Sequence, residues 1–317
     1  MQKYIIRRLA LMVPTLFGLT MLVFLMVRLV PGDIVANIAG DFGATSPETR
    51  AALMREFSLD KNIPEQYVNW LGQIGRLDLG SSLLSGRTVQ SELSSRLPVT
   101  MELGVLALLI SVMLGLPIGI LSAVRQDSAA DYAGRSLAIG LLAAPNFWIG
   151  LVLIALAGRY FHWGVPPTTY VGITENPISN LKLMFVPAFI LGGAASGGVM
   201  RFTRTAMLEV LRQDYIRTAR SKGLANRVVI TRHALKNALI PVVTVVGLSI
   251  PGIVGGSVII ETVYSIPGMG RYYVASINQL DFPVVQAINL VSALVVVFAN
   301  LAVDVTYSFL NPRIRYS

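Results

Sequence analysis

Long apolar blocks separated by polar, mostly basic segments set the pattern of this chain. A helix needs roughly 20 apolar residues to cross a hydrocarbon layer. Blocks of about that size run from about Leu9 to Val30, Thr100 to Val124, Ser136 to Gly158, Leu183 to Met200, Ala238 to Ile260 and Val284 to Tyr307. The first follows Lys3, Arg7 and Arg8. It is longer than the 7–15 or so residues of a signal h-region, and no small-residue cleavage site follows closely, so it reads as an uncleaved span. The third is broken by Pro145 in AAPNFWIG, a proline tolerated in a membrane helix where neighbours satisfy the freed carbonyl. The fourth carries GGAASGG, whose small residues would let another helix approach, with Gly193 as the expected packing position. The fifth holds Pro241, Pro251, Gly252, Gly255 and Gly256.

Between the blocks, residues 31–98 form the longest polar segment. Helical patches are expected in PETRAALMREF and PEQYVNWLGQI, where Ser46 and Asn62 stand as N-caps ahead of prolines. The segment Arg201–Lys236 is the most informative. Leu208, Leu211, Tyr215 and Ala219 recur at helical spacing. Gly223 then falls where a helix end needs a left-handed residue, and Asn226 is placed to cap a second helix from Arg227. The expectation is a helix–glycine turn–helix hairpin with its tip around Ser221–Ala225. Such a hairpin is either a basic loop held at the headgroups or a docking element for a soluble partner.

Composition supports a lipid environment. Hydrophobic residues make up 54% of the 317 and charged ones only 14%, too few to clothe a soluble core of this size. With no cysteine and two histidines, His162 and His233, disulfides and thiolate or histidine metal sites are not expected. The net charge of +9 is distributed one-sidedly. The termini, Arg125–Arg135 and Arg201–Lys236 carry 16 Lys and Arg against 4 acidic residues, whereas the alternate segments carry 9 against 10. By the positive-inside rule both termini and the hairpin are expected in the cytosol, which accounts for the charge without nucleic acid.

Ionisable residues within or at the ends of spans are Arg28, Glu102, Glu261 and Asp304. Each lies near a helix end where it can reach the interface. Glu261 could face a solute path or pair with Arg271. Pro251, Gly252, Gly255 and Gly256 mark either a bend lining that path or a site of close helix packing. His162 beside Trp163 reads as part of an interfacial belt. Ser196 lies in AASGG, without the surroundings of an intramembrane serine nucleophile. The dipeptide Gly-Lys never occurs, so a nucleotide-binding P-loop is not expected.

DYIRTARSKGL followed by HALKNALIP resembles the cytoplasmic motif of permease subunits in binding-protein-dependent ABC importers. That motif is written Glu-Ala-Ala, three residues, Gly, then nine residues before Ile-x-Leu-Pro. Arg217, Thr218 and Ala219 stand at the Glu-Ala-Ala positions and Gly223 at the glycine, while Pro241 lies farther on than the pattern has it. The form is similar to that of the dipeptide, oligopeptide and nickel branch. MQKYIIRRL, VRLVPGD, LPVTMELG, APNFWIGL, GGSVIIETVYSIPGMGR, DFPVVQAI and FLNPRIRY resemble it too, and the long segment after the first span is similar to the first of that branch's two permease subunits.

The resemblance implies an all-α polytopic membrane protein of about six spans with the type I importer permease fold. Residues 1–98 would form the first helix and an extracytoplasmic segment, and residues 99–317 the permease core with a coupling loop at 201–236. It implies a homologous second permease subunit, two cytoplasmic ATPases that carry ATP and magnesium, and an extracytoplasmic solute-binding protein. Asp214, Tyr215, Arg217, Thr218, Ala219, Arg220, Lys222, Gly223 and Leu224 would couple to the ATPase. The solute could be a dipeptide, a longer peptide, glutathione, a nickel chelate or an oligosaccharide. A self-sufficient channel or secondary transporter would explain the spans but not the hairpin, and no inverted repeat is seen.

Overall fold

The computed structural model describes residues 2–29, 60–161 and 170–310. Among these residues the chain is helical without β-strands, apart from one isolated bridge between Ser81 and Thr88. The helices are α1 (Gln2–Leu29), α2 (Ile63–Gly75), α3 (Val89–Val124), α4 (Ala129–Ala143), α5 (Asn146–Phe161), α6 (Pro177–Leu211), α7 (Asp214–Ser221), the short α8 (Asn226–Val228), α9 (Leu235–Val263), α10 (Met269–Asn278) and α11 (Phe282–Leu310). A π-helical segment, Val229–Ala234, joins α8 to α9. The helix expected after Ser46 and the belt residues His162 and Trp163 lie outside the described residues, as do the side chains of Arg28 and Asp304.

Among the described residues, four stretches are long and apolar enough to cross a membrane: Val89–Val124, Pro177–Leu211, Asn226–Val263 and Phe282–Val303. The expected first span coincides with α1, whose apolar part, Ala10–Met26, is shorter. The expected third span is broken at Pro145, as the sequence predicts. It is the pair α4 and α5, bent by 96°. Pro145 disfavours helical backbone at the residue before it, and Ala144 is extended (φ −82°, ψ 126°), so the chain turns there. In α9, by contrast, Pro241 and Pro251 are accommodated without a break.

The chain divides into two compact units. One is built mainly from Val99–Pro267. Its centre is α6, which packs against α4 and α9. The glycines of α6 divide by face. A Cβ on Gly192 would stand 2.4 Å from the Ala107 carbonyl of α3, and one on Gly197 would stand 2.7 Å from the Ala138 carbonyl of α4. Gly193 would meet only a Leu141 methyl at 3.9 Å, and Gly198 nothing, so the packing role expected of Gly193 belongs to Gly192 and Gly197. On α3 the facing stripe is Leu103, Ala107, Ser111, Gly115 and Gly119, a strict four-residue spacing along one helix face.

The second unit is Ile6–Pro98 with Gly268–Val297. Asn62 caps α2 as expected, its side chain accepting from the Glu65 N–H at 3.0 Å. Tyr67 and Trp70 of α2 pack with Phe24 of α1, and the Tyr67 hydroxyl shares a hydrogen bond with Thr20. The loop before α3 is fixed by buried Asp281, which accepts from the Ser82 hydroxyl at 2.5 Å and the Leu83 N–H at 3.2 Å.

Candidate functional site

The segment Arg201–Lys236 folds as a hairpin, but not as one helix leading into the glycine. Helix α6 ends at Leu211, the chain turns at Arg212 and Gln213, and α7 starts at Asp214. The apolar repeat that predicted one continuous helix is therefore shared between two. The buried residues of α7 are Ile216 and Ala219, spaced three apart, whereas Tyr215 is largely exposed. Ile216 and Ala219 join Ala206 and Met207 of α6, Ala123 of α3, Val229 and Ala234 of the π-helical segment, and Ala238 and Val242 of α9 in one apolar cluster. Ile216 lies in a helix of only eight residues, too short to carry a clear periodic signal, which is why the sequence pattern passes over it.

The α7 terminus follows from backbone chemistry. Gly223 has φ +77°, the left-handed region that glycine enters without a Cβ clash. Its N–H donates to the Arg220 carbonyl at 2.9 Å, and the Leu224 N–H donates to the Ala219 carbonyl at 3.4 Å. This is the Schellman pattern of helix termination. A Cβ on Gly223 would point into open space. The expected cap at Asn226 is not formed. Asn226 is the first residue of α8, Ala225 holds the cap position, and no side chain caps it. The second limb thus starts as one loose turn before the π-helical stretch.

The tip faces solvent. Arg217, Thr218, Arg220, Ser221, Lys222, Gly223, Leu224 and Arg227 are exposed, so its outward charge is positive. Arg217 is paired to Asp214 at 3.3 Å, both side chains at the surface, where such a pair contributes little. The limbs are tied by the Asn237 amide, which donates to the Tyr215 hydroxyl at 2.9 Å. Ala219 differs from its neighbours in facing the apolar cluster.

A polar centre near the hairpin carries no sequence expectation. Asp131 of α4 is fully buried. Arg204 of α6 donates to it through Nε at 2.8 Å and Nη2 at 2.7 Å. The Ser122 hydroxyl and the Asp127 N–H donate as well, the latter at 3.0 Å. One signal is visible in the sequence: Ser128 caps α4 by accepting from the Asp131 N–H, the Ser-x-x-acid spacing of a helix start.

The proposed path residues separate. Glu261 is fully buried and accepts from the Thr100 hydroxyl at 2.7 Å, so it faces no open path here. Gly256 lies against Leu191, where a Cβ would come within 3.1 Å, which is helix packing. Gly252 and Gly255 are exposed with open space above them, and Pro251 is half-buried. Glu102 accepts from Tyr170 at 2.8 Å. Burial and this carboxylate push the Tyr170 hydroxyl up to about 12. The buried Ser196 hydroxyl donates to the Gly193 carbonyl of its own helix at 2.6 Å.

The family described as "Binding-protein-dependent transport system inner membrane component" matches residues 115–316, and "Binding-prot-dependent transport system membrane comp, N-term" matches residues 1–104. The chain is 38% identical over 340 residues to the dipeptide transport system permease protein DppB of Escherichia coli K12, covering 100% of this chain and 99% of that one. It is 38% identical over 318 residues to the oligopeptide transport system permease protein AppB of Bacillus subtilis 168, covering 100% of both. It is 36% identical over 335 residues to the di/tripeptide transport system permease protein DppB of Pseudomonas aeruginosa UCBPP-PA14, covering 100% of this chain and 99% of that one.

Proposed function

The chain belongs to the family of binding-protein-dependent transport system inner membrane components, and on that premise we propose that it is one permease subunit of an ATP-driven peptide importer. The printed functions of its relatives, dipeptide, oligopeptide and di/tripeptide transport, support peptides as the solute. Residues 1–98 supply the first helix and an extracytoplasmic segment, and residues 99–317 supply the permease core. A homologous second permease subunit completes the path. A binding protein delivers the peptide from outside, and two cytoplasmic subunits bind ATP and magnesium. The basic excess on the termini and hairpin supports a cytoplasmic placement for all three.

The observation that carries this reading is the exposed hairpin tip turned by Gly223 at φ +77°. Asp214, Tyr215, Arg217, Thr218, Arg220, Lys222, Gly223 and Leu224 present a compact, positively charged surface to an ATPase groove, while Ala219 anchors that surface to the apolar cluster. A partner groove with acidic rims would match it. Closure of the ATPase pair then moves the hairpin, and the packed helices follow as a body.

Reconstitution tests the proposal. In liposomes the chain alone should neither hydrolyse ATP nor concentrate a peptide. Together with its second permease subunit, ATPases and binding protein it should do both. ATP hydrolysis by the isolated, contaminant-free chain, or uptake without the ATPases, contradicts it.

A further inference from the structure

Asp131 gathers donors from three places in the chain. Ser122 stands near the end of α3, Asp127 in the turn that follows with φ 60°, and Arg204 on α6. The Asp131 side chain is completely buried and that of Arg204 is 18% exposed. Burying an ion pair is a poor route to stability, because desolvation offsets much of the attraction. What a two-bond guanidinium–carboxylate pair supplies is direction, since its planar fork accepts one geometry.

That direction is needed here because the surrounding contacts are smooth. Gly134 of α4 packs on Ile118 and Met200, Gly119 of α3 on Met200 and Thr203, and Gly197 of α6 on Ala138 and Leu142. Small, featureless faces bring helices close without fixing how far one slides along another. The ion pair fixes that register at one end of α4. The residues next to it contact the hairpin. Ala123 follows Ser122, and Met207 lies one turn beyond Arg204, and both belong to the cluster that buries Ile216 and Ala219 of α7. A continuous set of contacts thus leads from the hairpin through α3 and α6 to Asp131.

Resting on the coupling role given above, we propose that Asp131 and Arg204 are positioning residues. They lock the bent pair α4–α5 to the hairpin, so that ATPase-driven movement shifts both as one body. Without the lock, the hairpin still binds the ATPase, but α4 slips on its glycine contacts and part of the stroke is lost.

Removing one partner alone would strand a buried charge and confound folding with function. The decisive variant replaces both, Asp131→Leu with Arg204→Met, and Arg204→Lys serves as a second probe that keeps the charge and loses the fork. Membrane abundance, ATPase retention, ATP hydrolysis and peptide moved per ATP are measured on the assembled transporter. For the double variant, abundance and ATPase retention should stay within about twofold, while peptide per ATP falls at least about fivefold, the lower end of ordinary coupling energies. Arg204→Lys should fall between it and the native chain. A native ratio of peptide to ATP in both variants overturns the inference, as does a transport loss that tracks abundance alone. If the native chain retains no ATPase, the coupling role fails first, and this inference with it.

Discussion

The Thr100 hydroxyl donates to Glu261 Oε1 across 2.7 Å, joining α3 to α9 between residues 161 apart in sequence. Both side chains are buried. A buried carboxylate that loses a donor incurs a desolvation penalty of about 1–3 kcal/mol. Thr100→Val keeps the shape and removes the donor, so it should lower the melting temperature of the detergent-purified protein, while Thr100→Ser should restore it. Identical melting of Thr100→Val and the native chain would show that this bond adds no stability.

The two faces of α6 predict opposite outcomes for the same substitution. Gly192→Ala places a methyl 2.4 Å from the backbone carbonyl of Ala107, so the helices must move apart. Overpacking of this kind costs about 1–3 kcal/mol. Gly198→Ala meets nothing within 4 Å and should be neutral, or stabilising by up to about 1 kcal/mol through helix propensity. Membrane abundance and thermal melting of the two variants measure this, and equal behaviour would contradict the assigned faces.

Orientation is open to a direct chemical test, because the chain has no cysteine. Ser81 and Ser221 are both exposed, so a cysteine at either is accessible from its own side. In intact cells with a permeabilised outer envelope, Ser81→Cys should react with an impermeant thiol reagent and Ser221→Cys should not. The reverse pattern would invert the proposed topology.

Legibility in the sequence followed the range of the interactions. Apolar block length and the left-handed requirement at Gly223 are local, and both were readable. The bend between α4 and α5 was half readable: Pro145 marks its place, but whether a proline kinks a helix or ends it depends on the packing around it. Pro241 and Pro251, which α9 absorbs, make the same point. Asn226 misled because a cap requires extended backbone at its own position, and the chain takes that conformation one residue earlier, at Ala225. The choice among Gly192, Gly193, Gly197 and Gly198 was hidden, since neighbours on a helix point 100° apart and only the partners' positions decide which is crowded. Asp131 and Arg204 were hidden for the same reason. They are separated by 73 residues, and nothing local marks them as a pair.

In the proposed function, separate ATPases drive this subunit through the turn at Gly223, and Gly223→Val perturbs that turn alone. The left-handed backbone would cost a β-branched residue about 1–2 kcal/mol, and its side chain would enter open space rather than the protein's own core. Folding and membrane abundance should therefore stay near native. Added bulk on the exposed tip should weaken the fit to the partner. Measured on the assembled transporter, peptide-stimulated ATP hydrolysis and uptake should fall together at near-native abundance. Native uptake by Gly223→Val, with its ATPases retained, would contradict the account and leave the hairpin as a basic loop held at the membrane surface.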